Sequence, residues 1–212
     1  MKANNRKERK GTLNDKGFSL LELTAVLALF TIIFIGATLT ISTFLIKFKE
    51  LEKVSRLNAE AFNCIQVLKH GIHVQMPNEI QFMGIVNAND VELTGNYSNG
   101  GRSAIILKPP ANSGDFSVND QIKFYFSDGY VRYDKIVYGS EGTGSRDNYI
   151  FPKFVRGRNQ DIEVTKLVFY PGNPISVDII KIVKVELEAR IEIIENKYHY
   201  VKYETYIGIG KM

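Results

Sequence analysis

Hydrophobic and polar positions divide the chain into four zones of different rhythm. Residues 1–17 are polar and show no apolar periodicity, as expected of a tail without a core of its own. From Leu23 to Ile46 no charged side chain occurs, and residues 18–46 form one apolar run. A helix needs about 20 such residues to cross a bilayer. The third zone, 47–77, keeps a helical rhythm but alternates its solvent. Phe48, Leu51, Val54, Leu57, Ala61, Ile65, Leu68 and Ile72 recur at steps of three and four, with Lys49, Glu52, Lys53, Arg56, Glu60 and Lys69 between them. This pattern predicts an amphipathic continuation of the apolar helix. Gly71 and Pro77 mark its expected end, since no proline interrupts 18–76. From Phe18 to about His73 such a helix is on the order of 80–85 Å long, against a bilayer core of about 30 Å.

The fourth zone, 78–212, changes period to two. Val183, Val185, Leu187, Ala189, Ile191 and Ile193 fall on one face, and Lys184, Glu186, Glu188, Arg190 and Glu192 on the other. That alternation predicts a half-buried antiparallel strand, which 195–197 turns into a second strand through Tyr198 to Ile209. Residues 121–133 read as two strands around Ser127-Asp128-Gly129. The sheet needs a cover for its apolar face, and the stripe at 48–72 supplies one. The expected fold class is therefore α+β, a long N-terminal helix packed on an antiparallel sheet.

Charge sharpens this picture. The chain has 212 residues and a net charge of +4. Residues 1–17 carry six basic side chains against Glu8 and Asp15, so the whole excess lies in the tail and the rest is neutral. A basic pI as a nucleic-acid signal loses its force here, and a nucleic acid is disfavoured as direct ligand. A basic flank before the apolar run keeps the N-terminus inside and exports the C-terminal zone. The run is too long for an ordinary secretory signal and no small-residue cleavage site follows it.

One acidic residue stands inside this apolar context. Glu22 lies four residues after Phe18, where a carboxylate is expensive unless it has a partner. Lys16, Gly17, Phe18, Ser19, Leu20, Leu21, Glu22 and Leu23, followed by the long apolar run, resemble the class III leader of type IV pilins and pseudopilins. The resemblance covers about the first quarter of the chain. It implies that a membrane-embedded prepilin peptidase cuts between Gly17 and Phe18 and methylates the new amine of Phe18. It further implies that Glu22, the fifth residue of the mature chain, meets the amine of a neighbouring subunit and sets the register of assembly. Other pilin or pseudopilin subunits, an inner-membrane assembly platform, and membrane lipid before assembly are the implied partners. Leu39 stands where major pilins carry a helix-breaking proline, and the single Cys64 forbids their intrachain disulfide loop. The C-terminal zone resembles larger minor pilins, including J-type pseudopilins, in length and strand order. A minor pilin or pseudopilin of a pilus, type II secretion or competence system is the expected function. The alternative is an exported ligand-binding module, an adhesin or DNA receptor, carried on such a filament.

Other candidate chemistry is sparse. Cys64, on a helical apolar face, reads as a small buried hydrophobe. His70 and His73 are one helical turn apart but have no acidic or cysteine partner close in sequence, so no metal is expected. Residues 139–147 lack the Lys-Ser/Thr ending of a phosphate loop and read as a hairpin loop, with calcium through Glu141 and Asp147 a remote reading. Asn96-Tyr97-Ser98 forms a glycosylation sequon of little weight in this setting. Tyr198, Tyr200, Tyr203 and Tyr206 are expected to pack across strands. No Ser-His-Asp, Cys-His or paired-carboxylate arrangement stands out; the expectation is a protein without catalytic residues or cofactor.

Overall fold

A computed structural model describes residues 19–73, 81–109, 121–137, 140–141, 148–152, 161–172 and 180–210. Helix α1, Leu20–His70, is continuous over 51 residues. Its sequence explains the continuity: it contains no proline, and its one glycine, Gly36, is flanked by good helix formers. Its end is equally local. Gly71 adopts φ +81°, the left-handed conformation that closes a helix at low cost, and Lys69 and His70 occupy the last turn. The expected end near His73 is therefore corrected by three residues, because Gly71 stops the helix and 71–73 become a strand.

The chain divides into two compact units, 1–48 and 49–212. In the first, the described residues of α1 are exposed throughout. The second holds the sheets. Strands β1 (Gly71–His73) and β2 (Gln81–Met83) pair antiparallel. Strands β3 (Asp90–Thr94), β4 (Ala104–Lys108), β5 (Gln121–Ser127), β6 (Tyr130–Val137) and β7 (Ser140–Glu141) follow one another as a meander, with β8 (Tyr149–Phe151) added on β6. Strands β9 (Ile162–Pro171), β10 (Ile182–Ile194) and β11 (Lys197–Gly208) form a separate antiparallel sheet with β10 in the middle. The two larger sheets are tied at β9. Arg102 and Phe169 exchange backbone hydrogen bonds of 2.8 and 2.9 Å, and the Val164 N–H donates to the Gly129 carbonyl at 3.0 Å.

The core lies between α1 and these sheets. Leu57, Ala61, Cys64, Ile65 and Leu68 are the buried helical residues, and Val183, Val185, Leu187, Ala189 and Ile191 are buried on β10. Side chains of β4 and β5, among them Ile105, Leu107, Ile122 and Phe124, join the same cluster. Polar contacts fix the helix along the three-stranded sheet. The Lys53 ammonium donates to the carbonyls of Glu192 and Ile193 at 2.9 and 3.2 Å, Arg56 pairs with Asp161 at 2.9 Å, and the Tyr203 hydroxyl donates to the Asn58 carbonyl at 3.3 Å. The expected stripe is thus shortened at both ends. Phe48 and Leu51 are exposed, Val54 is half-buried, and Ile72 belongs to β1.

A slip in the alternation of β9 has a matching structural response. Ile162 and Val164 face the core at even positions, whereas Leu167 and Phe169 face it at odd ones. The pairing with β10 shifts register between Glu188 and Ala189, so a bulge at Thr165 restores the apolar face. The opposite face of this sheet carries an alternating lattice of charge. Lys166 reaches Glu186 at 2.7 Å, Lys184 reaches Glu186 at 2.9 Å and Glu204 at 2.8 Å, and Lys202 reaches Glu188 at 3.5 Å. Glu186 is only 7% exposed within it. Hydrogen bonds from Lys166 and then Lys184 hold its carboxyl down to about 2, against the opposing pull of burial.

Candidate functional site

Of the residues singled out by the leader resemblance, Glu22 lies in the first turn of α1. Gly17 and Phe18 lie outside the described residues. Ser19 precedes the helix, and its relation to Glu22 is reciprocal. The Ser19 N–H donates to Oε2 of Glu22 at 2.9 Å, and the Glu22 N–H donates to the Ser19 hydroxyl oxygen at 3.2 Å. This is a capping box, in which the first residue and the third helical residue satisfy each other's orphan backbone donors. A carboxylate there also meets the positive end of the helix dipole. The Ser-x-x-Glu spacing of Ser19 and Glu22 is the sequence signal of this intramolecular bond.

Between Leu23 and Ile46 the helix surface is predominantly apolar, and its threonine hydroxyls bond back to the helix. The hydroxyls of Thr31, Thr38, Thr40 and Thr43 donate to the carbonyls of Leu27, Phe34, Gly36 and Leu39 at 2.8–2.9 Å. Thr24 does the same to Leu21 at 2.9 Å. A hydroxyl folded back on its own helix exposes methyl and methylene surface, which suits hydrocarbon as solvent. The side chains of Leu27, Phe30, Ile33, Phe34 and Ile41 are all exposed. One helix, near the N-terminus, is therefore long and apolar enough to cross a membrane, and none of its apolar window is buried by the rest of the protein.

The remaining candidates resolve differently. Cys64 is buried, and desolvation pushes its thiol far above the ordinary range, so it behaves as a core residue. His70 closes α1 and His73 lies in β1; nothing is described of the His73 side chain. Asp147 and the side chain of Glu141 lie outside the described residues. Among the described residues no group of three His, Cys, Asp or Glu side chains could hold a metal. A groove of about 560 Å³ runs between α1 and β8, lined by Glu60, Cys64, Val67, His70, Tyr149 and Phe151 among others.

The four tyrosines of β11 separate by face. Tyr203 lies on the helix side against Phe62, ring centroids 6.5 Å apart. The others lie on the charged side, where Arg190 sits over the Tyr198 ring at 4.7 Å and Lys184 over Tyr206 at 6.0 Å. Cross-strand contact is present, yet Tyr200 and Tyr206 remain 61% and 62% exposed. No family model, curated protein or solved structure matches the chain.

Proposed function

We propose that the chain is a minor pilin or pseudopilin, a structural subunit of a type IV pilus-like filament rather than an enzyme. Prepilin peptidase removes residues 1–17 by cutting between Gly17 and Phe18 and methylates the amine of Phe18. The observation that carries this reading is the uncovered apolar helix that starts at Leu20, behind the Ser19 cap, with Glu22 as its single acidic residue before Glu50. An apolar surface of that extent needs either lipid or the equivalent helices of other subunits, and a pilin uses both in turn.

In this reading the capping box presents the Glu22 carboxylate at the helix start, with one oxygen bound to the Ser19 N–H. The cleaved Phe18 carries a cationic amine next to Ser19. A neighbouring subunit's amine reaches the carboxylate only at one axial stagger, and two costly charges in a low-dielectric layer then neutralise each other. Docking through other subunits and an assembly platform follows from that stagger. Mass spectrometry of the chain recovered from its host membranes tests the reading. The expected species begins at Phe18 and is heavier by one methyl group. A chain that still begins at Met1 in cells with an active prepilin peptidase overturns it.

A further inference from the structure

We infer that the outer edge of β11 is a docking site for an extended strand of a different polypeptide, added to the three-stranded sheet beside Phe62. The inference rests in part on the membrane-anchored subunit proposed above. The asymmetry of the sheet is its starting point. The far edge of β9 is engaged, by Arg102 at Phe169 and by Gly129 at Val164. Among the described residues no strand pairs with the far edge of β11, which is 12 residues long, although the 3-10 turn Ile85–Asn87 comes close to β11.

The groups left open can be named. Ile209 donates its N–H to Lys181, on the β10 side, at 2.9 Å. Successive residues of an antiparallel strand point their backbone groups to opposite edges. Odd positions of β11 therefore bond to β10, and Tyr200, Lys202, Glu204 and Tyr206 turn N–H and C=O outward. Natural sheets blunt such edges with proline, a bulge or a covering element. Between Tyr198 and Gly208 β11 has no proline, and its pairing with β10 is regular. A row of donors and acceptors with strand spacing, unpaired with any strand among the described residues, selects an extended backbone as ligand.

The two faces beside that edge define the side chains of the ligand. On the α1 side, Phe62 is 49% exposed and leans on Tyr203, so the apolar layer ends in an open corner. On the other side Lys202 and Glu204 are half-exposed, two positions apart. The complementary strand carries apolar residues on alternate positions over Phe62, and an acid and a base two apart on its opposite face.

A second copy fits this edge poorly. Lys53 contacts the end of β10 and Asn58 contacts Tyr203, so α1 runs in the same sense as β11. Antiparallel pairing of two β11 strands sets the two α1 helices head to tail, whereas copies inserted into one bilayer from the same side carry α1 in one sense. Parallel pairing turns the α1 side of one copy onto the charged side of the other, and Phe62 then meets Lys202 and Glu204.

The test uses the full chain in its host membrane with p-benzoylphenylalanine, a photocrosslinker, placed separately at Tyr200 and at Phe62. Both positions are expected to give adducts on one short, strand-forming segment of a single other polypeptide. In the Tyr200→Pro background, which removes one outward donor, the Phe62 adduct should fall about tenfold while Cys64 stays closed to thiol reagents. Hydrogen exchange of the unaltered chain decides the matter if that variant does not fold. The amides of Tyr200, Lys202, Glu204 and Tyr206 should exchange at least about tenfold more slowly in the crosslink-defined complex than in the isolated chain. Adducts confined to lipid or to a second copy, or outward amides equally fast in both states, overturn the inference. The mass of the N-terminus is read from the same sample. A chain cleaved at Phe18 without strand adducts sinks only the docking site, and an uncleaved chain with them sinks only the pilin reading.

Discussion

At the residue scale the capping bond of Glu22 and its proposed role in assembly separate by substitution. A glutamine can close the same box as a glutamate, whereas alanine cannot. Glu22→Gln therefore keeps the helix start and removes only the charge, and Glu22→Ala removes both. The assembly role predicts that both variants are cleaved and membrane-resident, and that both are recruited to partner pilins at least about tenfold less well, the effect of ~1.4 kcal/mol per contact. Co-purification beside a cleavage assay measures this; glutamine recruited as well as glutamate would leave only the cap. Gly84 makes a second prediction. A Cβ there would come within 2.3–2.5 Å of the backbone of Lys69, His70 and Gly71. With φ at −99° the position is not strained for other residues, so space alone demands glycine. Gly84→Ala should cost about 1–3 kcal/mol in denaturant unfolding, the range for overpacking. A neutral result would show that the end of α1 gives way easily.

At the element scale the charged lattice on β9–β11 makes stability depend on acid. Glu186 titrates at about 2 in the folded chain, against about 4.3 for an ordinary glutamate. Its stabilisation is present above the ordinary value and is lost as pH falls from there towards about 2. Amide exchange along β10 should therefore accelerate over that window, and Glu186→Gln should be less stable at neutral pH yet lose less on acidification. An acid limb identical in the two proteins would remove Glu186 from the account. How far each element was legible follows from what sets its pattern. Strand β10 was legible because one face meets the core and the other meets charges, so burial alone writes the alternation. The stripe expected of α1 includes Phe48 and Leu51, because an apolar side chain left exposed looks the same in sequence as one bound for a core. The β9 bulge hid behind an apparent break in period at Thr165 and Lys166. The tyrosines of β11 read as one cluster, since aromatic character does not say which face a strand position takes. Of the candidate site, Glu22 was legible from its isolation among apolar residues, and its bond to Ser19 from the Ser-x-x-Glu spacing, which a carboxylate beside an apolar run does not by itself distinguish from an intermolecular pair.

At the scale of the whole molecule, the boundary between Phe48 and Lys49 separates a unit whose described residues are exposed helix from the unit that holds the sheets. Among the described residues one buried cluster draws on side chains from Leu57 to Ile207, and it takes its helical share from Leu57 to Leu68. A fragment beginning near Lys49 should be soluble and unfold in one cooperative step, with helix and sheet signals lost together in circular dichroism. Its slowest-exchanging helical amides should lie between Leu57 and Leu68; uniformly fast exchange there would mean that the sheet does not hold α1. Cys64 sits in the middle of that stretch as the chain's single thiol, sealed against the sheets. A thiol-reactive dye added to the native protein can therefore colour it only in the moments when helix and sheet part. The rate of that colouring is a clock already wound into the chain, and it counts how often the fold lets go.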